Sequence, residues 1–284
     1  MIIAIASGKG GTGKTTLAVN LSAFLAEKRK VILADLDVEE PNSGIFLKGR
    51  QVHSEKICRM IPEWIERTCI MCGKCQELCR FNAVLKIPDR IMLFPELCHS
   101  CFACSELCPT SSLPMHGETG GILYHSIISK KLQLVDSHLE IGQVSAVPLI
   151  SATISYLKGI AASDDLLIFD SPPGTSCPML EVTKSAEHVI LVTEPTPFGF
   201  HDLKLAIKTM EKLDKSFSIV LNQAGDEFDS TIIEFCHSAN YRIIACIPYM
   251  RRAAELYSAG RLLYQEIPVI REALSVIANN LQLA

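Results

Sequence analysis

The stretch SGKGGTGKTT, residues 7–16, restricts the possible folds more than any other part of the chain. Gly8 to Thr15 satisfy the pattern G-x-x-x-x-G-K-[ST]. The run follows an apolar pentapeptide, IIAIA (2–6), that reads as a short buried strand. It precedes a segment to about residue 28 in which Leu17, Leu21, Phe24 and Leu25 recur at helical spacing. A glycine-rich turn between a strand and a helix presents backbone N–H groups and the positive helix end to an anion. Gly8, Lys9, Gly10, Gly11, Thr12, Gly13, Lys14, Thr15 and Thr16 therefore read as a phosphate cradle. Lys14 is expected to reach the β- and γ-phosphates of ATP, and the Thr15 hydroxyl to ligate Mg²⁺.

The rest of the chain supplies a matching rhythm. VILADLD (31–37), DLLIFD (165–170), HVILVTEP (188–195), FSIVLN (217–222) and RIIACIP (242–248) read as buried strands. Residues 200–213 form the clearest helix, 268–282 the last one, and 121–147 short alternating strands or a hairpin. Apolar strands alternating with helices imply an α/β fold, a P-loop NTPase with a mainly parallel sheet flanked by helices. Asp170 ends a strand just before SPPG, where the carboxylate near Mg²⁺ is expected, and Asp35 and Asp37 end another.

These residues bear a resemblance. SGKGGTGKTT resembles the deviant phosphate loop of MinD/Mrp/ParA-type ATPases, marked by an extra lysine before the paired glycines, here Lys9. The resemblance implies that two subunits sandwich ATP, as in the nitrogenase iron protein, with Lys9 reaching the nucleotide across the dimer. It implies that Asp37 is a switch I acid positioning water, and that Asp170 and Gly174 belong to switch II. By the same resemblance Asn222 contacts adenine, and Pro248 and Tyr249 lie on the base-side loop. MinD itself ends in a basic membrane-seeking helix; here REALSVIANNLQLA has one arginine and no lysine, and reads as a core-packing helix.

Between these segments the pattern breaks. The chain has 12 cysteines, and eight of them fall between residues 69 and 108. Cys69, Cys72, Cys75 and Cys79 have the spacing C-x₂-C-x₂-C-x₃-C; Cys98, Cys101, Cys104 and Cys108 repeat it, followed by Pro109. This is the bacterial ferredoxin spacing, in which three thiolates of one run hold a [4Fe–4S] cluster and the fourth ligates the other cluster. One cluster is then expected on Cys69, Cys72, Cys75 and Cys108, and the second on Cys98, Cys101, Cys104 and Cys79. Zinc is the rival, though it favours two separated C-x-x-C pairs. Arg80 replaces the usual proline after Cys79; it reads either as a cation near a cluster or as a solvated side chain. Cys58, Cys177, Cys236 and Cys246 are scattered and read as small buried hydrophobes, with Cys58 nearest the cluster region. The whole pattern resembles MinD-superfamily ATPases with an inserted ferredoxin domain. The expected organisation is a discontinuous ATPase domain, 1–52 and 116–284, around a ferredoxin-like insert at 57–115.

Net charge is −4 and no apolar run approaches the roughly 20 residues of a membrane span, so neither nucleic acid nor membrane insertion is expected. The N-terminus lacks a basic leader region, so a cytoplasmic location is expected. Three functions remain open: an ATPase that gates electron transfer to a redox or metallocluster partner, an iron–sulfur carrier or assembly factor, and a redox-sensing spatial organiser. A homodimer, or a heterodimer with a related ATPase, is the expected assembly.

Overall fold

The computed structural model describes residues 1–284 apart from residues 144, 226 and 284. The first half runs β1 (Ile2–Ala6), α1 (Lys14–Leu25), β2 (Val31–Asp35), α2 (Ser43–Phe46), β3 (Arg50–Pro62), α3 (Lys74–Leu78), β4 (Val84–Lys86), β5 (Ile91–Leu93), α4 (Ala103–Glu106), β6 (Met115–Ile127) and β7 (Leu132–Leu139). A regular alternation follows: α5 (Val147–Ile160), β8 (Leu166–Asp170), α6 (Cys177–Ser185), β9 (His188–Thr193), α7 (Pro197–Lys212), β10 (Phe217–Ala224), α8 (Asp229–Ser238), β11 (Ile243–Pro248), α9 (Arg251–Ser258) and α10 (Pro268–Asn280).

One sheet takes the order β11-β10-β9-β1-β8-β2-β7-β6-β3. Pairing is parallel from β11 through β7 and antiparallel for β7/β6 and β6/β3. The expected α/β sheet, mainly parallel and flanked by helices, is present. Strand β1 shows how it is held. Ile3 and Ile5 point into one core with Leu17 and Leu21 of α1 and Leu274 and Ile277 of α10. Ala4 and Ala6 point into the opposite core with Leu149, Met179 and Leu203. Two buried faces explain why the strand is apolar at every position. Helix α10 buries Ile270, Leu274 and Ile277. No helix among the described residues is long and apolar enough to cross a membrane.

Three boundaries differ from the sequence expectation. Helix α1 stops at Leu25, and β2 stops at Asp35 because the Asp35 carboxylate accepts the N–H groups of Asp37, Asn42 and Ser43 at 3.2, 3.0 and 2.8 Å. The largest difference is β3. It spans Arg50 to Pro62 and pairs with β6 from Arg50↔Ile127 to Pro62↔Met115, with register shifts between Gln51 and His53 and between Ile57 and Cys58. The expected divide between residues 52 and 57 lies inside this strand, so a hydrogen-bonded ladder, and no linker, joins the cysteine segment to the sheet. Residues 50–56 are all exposed, so they carry no apolar alternation that could reveal a strand.

The cysteine segment has little core of its own. Val84, Ile91 and Leu113 pack with Cys75 and Cys104, and Ile61 and Ala83 with Cys98. Burial on this scale supplies little stability without a further staple.

Candidate functional site

The C-terminal ends of β1, β8 and β2 meet at one sheet edge, where Ile5 pairs with Asp170 and Asp170 with Asp35. Open α/β sheets bind ligands at this edge. The loop after β1 turns through Gly11 (φ 81°) and Gly13 (φ 92°) into α1. A side chain at Gly13 would also collide with Asn222, and one at Gly8 with the Asp202 carbonyl, each at 2.3 Å. A cavity of about 510 Å³ opens beside the loop, lined by Gly10, Gly11, Gly13, Lys14, Thr15 and Thr16 together with Asp37, Asn222, Pro248 and Tyr249.

The charges there form one system. Lys14 is 6% exposed; burial pushes its pKa down, while Asp170, Asp37 and Asp35 oppose that shift. Asp170 is fully buried. Burial and then the Asp35 charge push its carboxyl well above the usual range, against the favourable Thr15 hydroxyl and Lys14. No donor among the described residues meets either Asp170 oxygen in hydrogen-bonding geometry. A dry, unpaired carboxylate is costly unless a cation joins it. The Asp170 and Thr15 donors therefore fit a hard cation such as Mg²⁺. Asp35 is equally buried, but its hydrogen bonds commit it to shaping the 36–43 loop.

Asp37 lines the cavity and is raised to about 6, chiefly by burial and the Asp35 charge. A raised carboxyl pKa penalises the folded state above that pKa and not below the unfolded value of 3.8. Asp37→Asn is therefore expected to stabilise the nucleotide-free protein by about 1–2 kcal/mol above pH 6, after allowance for partial exposure. The gain should vanish below about pH 4. Thermal melts across pH check this; an equal effect at every pH would show that the carboxylate is not strained.

The remaining predicted residues are distributed as follows. Lys9 does not line the cavity; its Nζ is 2.5 Å from Glu194 Oε1 in the same chain. Gly174 (φ 86°) donates its N–H to the Ser7 carbonyl at 3.1 Å. The Asn222 amide donates to the Thr12 carbonyl at 2.8 Å, which ties β10 to the loop and leaves its second N–H and its side-chain oxygen for a base. Glu194, Glu40 and Asn42 escaped the sequence reading. Glu194 follows a strand at the same sheet edge as Asp170, and that position was the available signal.

The cysteines gather around two small cavities of about 20 Å³ each. Cys69, Cys72, Cys75 and Cys108 line one. Cys79, Cys98, Cys101 and Cys104 line the other. Each cavity thus takes three cysteines from one run and the fourth from the other run. The backbone repeats as well. Met71 and Ser100 (both φ 53°) occupy equivalent places, as do Gly73 (83°) and Phe102 (63°), and Asn82 (55°) and Ser111 (50°). The N–H groups of Ala83 and Ser112 donate to Cys79 Sγ and Cys108 Sγ, each at 3.3 Å. Left-handed non-glycine residues cost about 1–3 kcal/mol each and persist where a site imposes them.

Among the described residues no three His, Cys, Asp or Glu side chains are grouped to hold a single metal ion. Four thiolates on one zinc would stand about 3.8 Å apart, given Zn–S bonds of ~2.3 Å. A [4Fe–4S] cube takes one thiolate at each of four irons and needs a wider ring. The all-sulfur donor sets, with N–H groups aimed at sulfur, fit such a cube. Burial pushes the Cys104 thiol up to about 11, so metal binding there must release protons.

The chain resembles known proteins along its length. The model of the CobQ/CobB/MinD/ParA nucleotide binding domain matches residues 3–263. An uncharacterized protein of Methanocaldococcus jannaschii is 32% identical over 284 residues, spanning 98% of this chain and 97% of that protein. The iron-sulfur cluster carrier protein of Pyrococcus horikoshii is 26% identical over 226 residues, 77% of this chain and 60% of that protein. Among solved structures, the septum site-determining protein MinD of Pyrococcus horikoshii, complexed with Mg-ADP, has a TM-score of 0.61 at 20% identity, covering 99% of this chain and 95% of that one. The structural likeness speaks for the fold alone, while the family match, over residues 3–263, includes the phosphate loop and the acids Asp35, Asp37 and Asp170. The chain belongs to the CobQ/CobB/MinD/ParA nucleotide-binding family.

Proposed function

We propose that this chain binds and hydrolyses Mg-ATP and couples the accompanying rearrangement to electron transfer, through two [4Fe–4S] clusters, to a partner protein. The observation that carries the reading is the crossed cysteine lining of two cavities in a segment that β3 and β6 join to the sheet bearing the P-loop site. Lys14 would neutralise the β- and γ-phosphates, and Thr15 and Asp170 would hold Mg²⁺. Asp37 would orient the attacking water. Lys9 would leave Glu194 to reach the nucleotide of a second subunit, whether an identical or a related one. Bound clusters would supply one-electron carriers, ligated by Cys69, Cys72, Cys75 and Cys108 and by Cys98, Cys101, Cys104 and Cys79.

A physical route supports the coupling. The strand that ends in Asp35, β2, pairs with β7; β7 pairs with β6, and β6 with β3, which enters the cysteine segment. Motion of the 36–43 loop on nucleotide exchange therefore bears on a ladder that reaches the clusters. Anaerobic redox titrations with ADP and with a non-hydrolysable ATP analogue are expected to give different potentials for at least one cluster. Identical potentials in both states would rule out gating.

A second reading, cluster delivery, draws support from the carrier proteins among the relatives. It predicts loss of iron to an apo-acceptor during turnover, whereas the electron-transfer reading predicts that all the iron stays.

A further inference from the structure

Arg59 is a buried cation that the ATPase site does not use. Its side chain is 5% exposed, on a strand whose first seven residues are all exposed. The strand alternation explains the direction. Arg59 and Ile61 lie two residues apart and share a face, and Ile61 packs on Ala83 and Cys98. The guanidinium donates to the Pro95 carbonyl at 3.0 Å, three residues before Cys98, and to Glu118 Oε2 at 3.2 Å. Its Nε has no partner among the described residues and is shielded from water. Arg59 also lies close enough to Cys98 to favour its thiolate.

The two members of the Arg59–Glu118 pair are unequally solvated. Glu118 is 42% exposed and Arg59 only 5%. Water screens the carboxylate, while the guanidinium acts on its dry side through a lower effective dielectric. The pair therefore presents a net positive potential to the cavity lined by Cys79, Cys98, Cys101 and Cys104. Adding an electron makes a thiolate-ligated cluster more negative, so a fixed cation nearby favours the reduced form. A neutralised surface arginine could not do this; among the described residues the cation lining the other cavity, Lys74, is exposed and screened by water, whereas Arg59 is buried against the segment before Cys98.

We propose that Arg59 is a positioning residue that raises the reduction potential of the cluster held by Cys79, Cys98, Cys101 and Cys104, and leaves the other cluster unchanged. The proposal rests on the two-cluster reading above. It makes the two clusters unequal, so electrons collect preferentially on the one held by Cys79, Cys98, Cys101 and Cys104.

The test uses the full-length, anaerobically reconstituted protein, reduced stepwise with dithionite and followed by electron paramagnetic resonance. Cys72→Ser and Cys101→Ser assign the two signals. Arg59→Met is expected to lower the reduction equilibrium constant of the Cys101-dependent signal about tenfold, about 59 mV for one electron. Glu118→Gln removes the counter-charge and should shift the same signal the opposite way. The Cys72-dependent signal should stay fixed in both variants. Equal shifts of both signals, or no shift with full iron content, would overturn the proposal. If Arg59→Met fails to hold its cluster, the sign of the Glu118→Gln shift decides alone. Absence of two signals in the unaltered protein would instead overturn the two-cluster reading, and would be seen before any variant is made.

Discussion

Replacing Asp170 with asparagine is expected to abolish ATP hydrolysis while raising the melting temperature of the nucleotide-free protein. The two effects share one cause. Asp170 is fully buried, and no donor among the described residues meets its oxygens in hydrogen-bonding geometry. Its carboxyl pKa is driven up by that burial and by Asp35. The isosteric amide removes the ionisation cost and keeps the volume. It also removes the anionic metal ligand. Losing such a ligand costs several kcal/mol of transition-state stabilisation, about a 10²–10³-fold loss in rate or more. The stability gain should shrink as pH falls into the ordinary carboxylate range, because Asp170 is then protonated in both the folded and unfolded states. Calorimetry and a phosphate-release assay on the same sample check both halves. Activity surviving in Asp170→Asn would remove Asp170 from the metal site. Lys14→Ala is the complementary control: hydrolysis should be lost and iron content kept, because the two sites are built from different segments.

The second large effect concerns the crossed cysteine pairs. Cys79→Ser and Cys108→Ser should each lose about half the iron, and so cannot by themselves reveal which quartet is which. Double variants can. Cys79 lines the cavity of Cys98, Cys101 and Cys104, so Cys79→Ser with Cys101→Ser damages one site twice and should leave one cluster. Cys79→Ser with Cys72→Ser damages both sites and should leave none. If each run instead held its own cluster, these outcomes would exchange. Iron and sulfide analysis after anaerobic reconstitution reads the result directly, and a cooperative thermal melt provides an internal check that the fold is intact.

What could be read from the sequence follows from how local each signal is. The phosphate loop needs glycines and a lysine in fixed order next to a strand and a helix, so ten residues announce it. The cysteine runs announce themselves for the same reason, through short spacings. Buried β strands such as IIAIA are legible because two covered faces demand apolar residues throughout. Strand β3 was illegible because its outer half lies at the sheet edge in solvent, where pairing alone defines it. The division of labour between Asp35 and Asp37 was equally hidden: both end the same apolar run, and only the hydrogen bonds from Asn42 and Ser43 identify Asp35 as the loop's anchor. Lys9 illustrates a third limit. Its motif suggests a phosphate contact, but its partner in this chain, Glu194, lies 185 residues away. Likewise, the strained backbone at Met71, Ser100 and Phe102 has no glycine to advertise it.

The ladder between β3 and β6 ends with Pro62 opposite Met115, and it is carried further by Glu63 N–H to the Pro114 carbonyl at 2.8 Å and Ile65 N–H to the Ser112 carbonyl at 2.9 Å. The chain thus leaves and re-enters the sheet as hydrogen-bonded neighbours. Closing the intervening loop is done by the ladder, and the entropy of a longer or shorter loop grows only logarithmically with its length. The cysteine segment is in this sense a cassette clipped to the nucleotide-binding domain by a two-stranded stem. A segment of different length between the two strands of the stem is therefore expected to leave the register of the nucleotide-binding core unchanged.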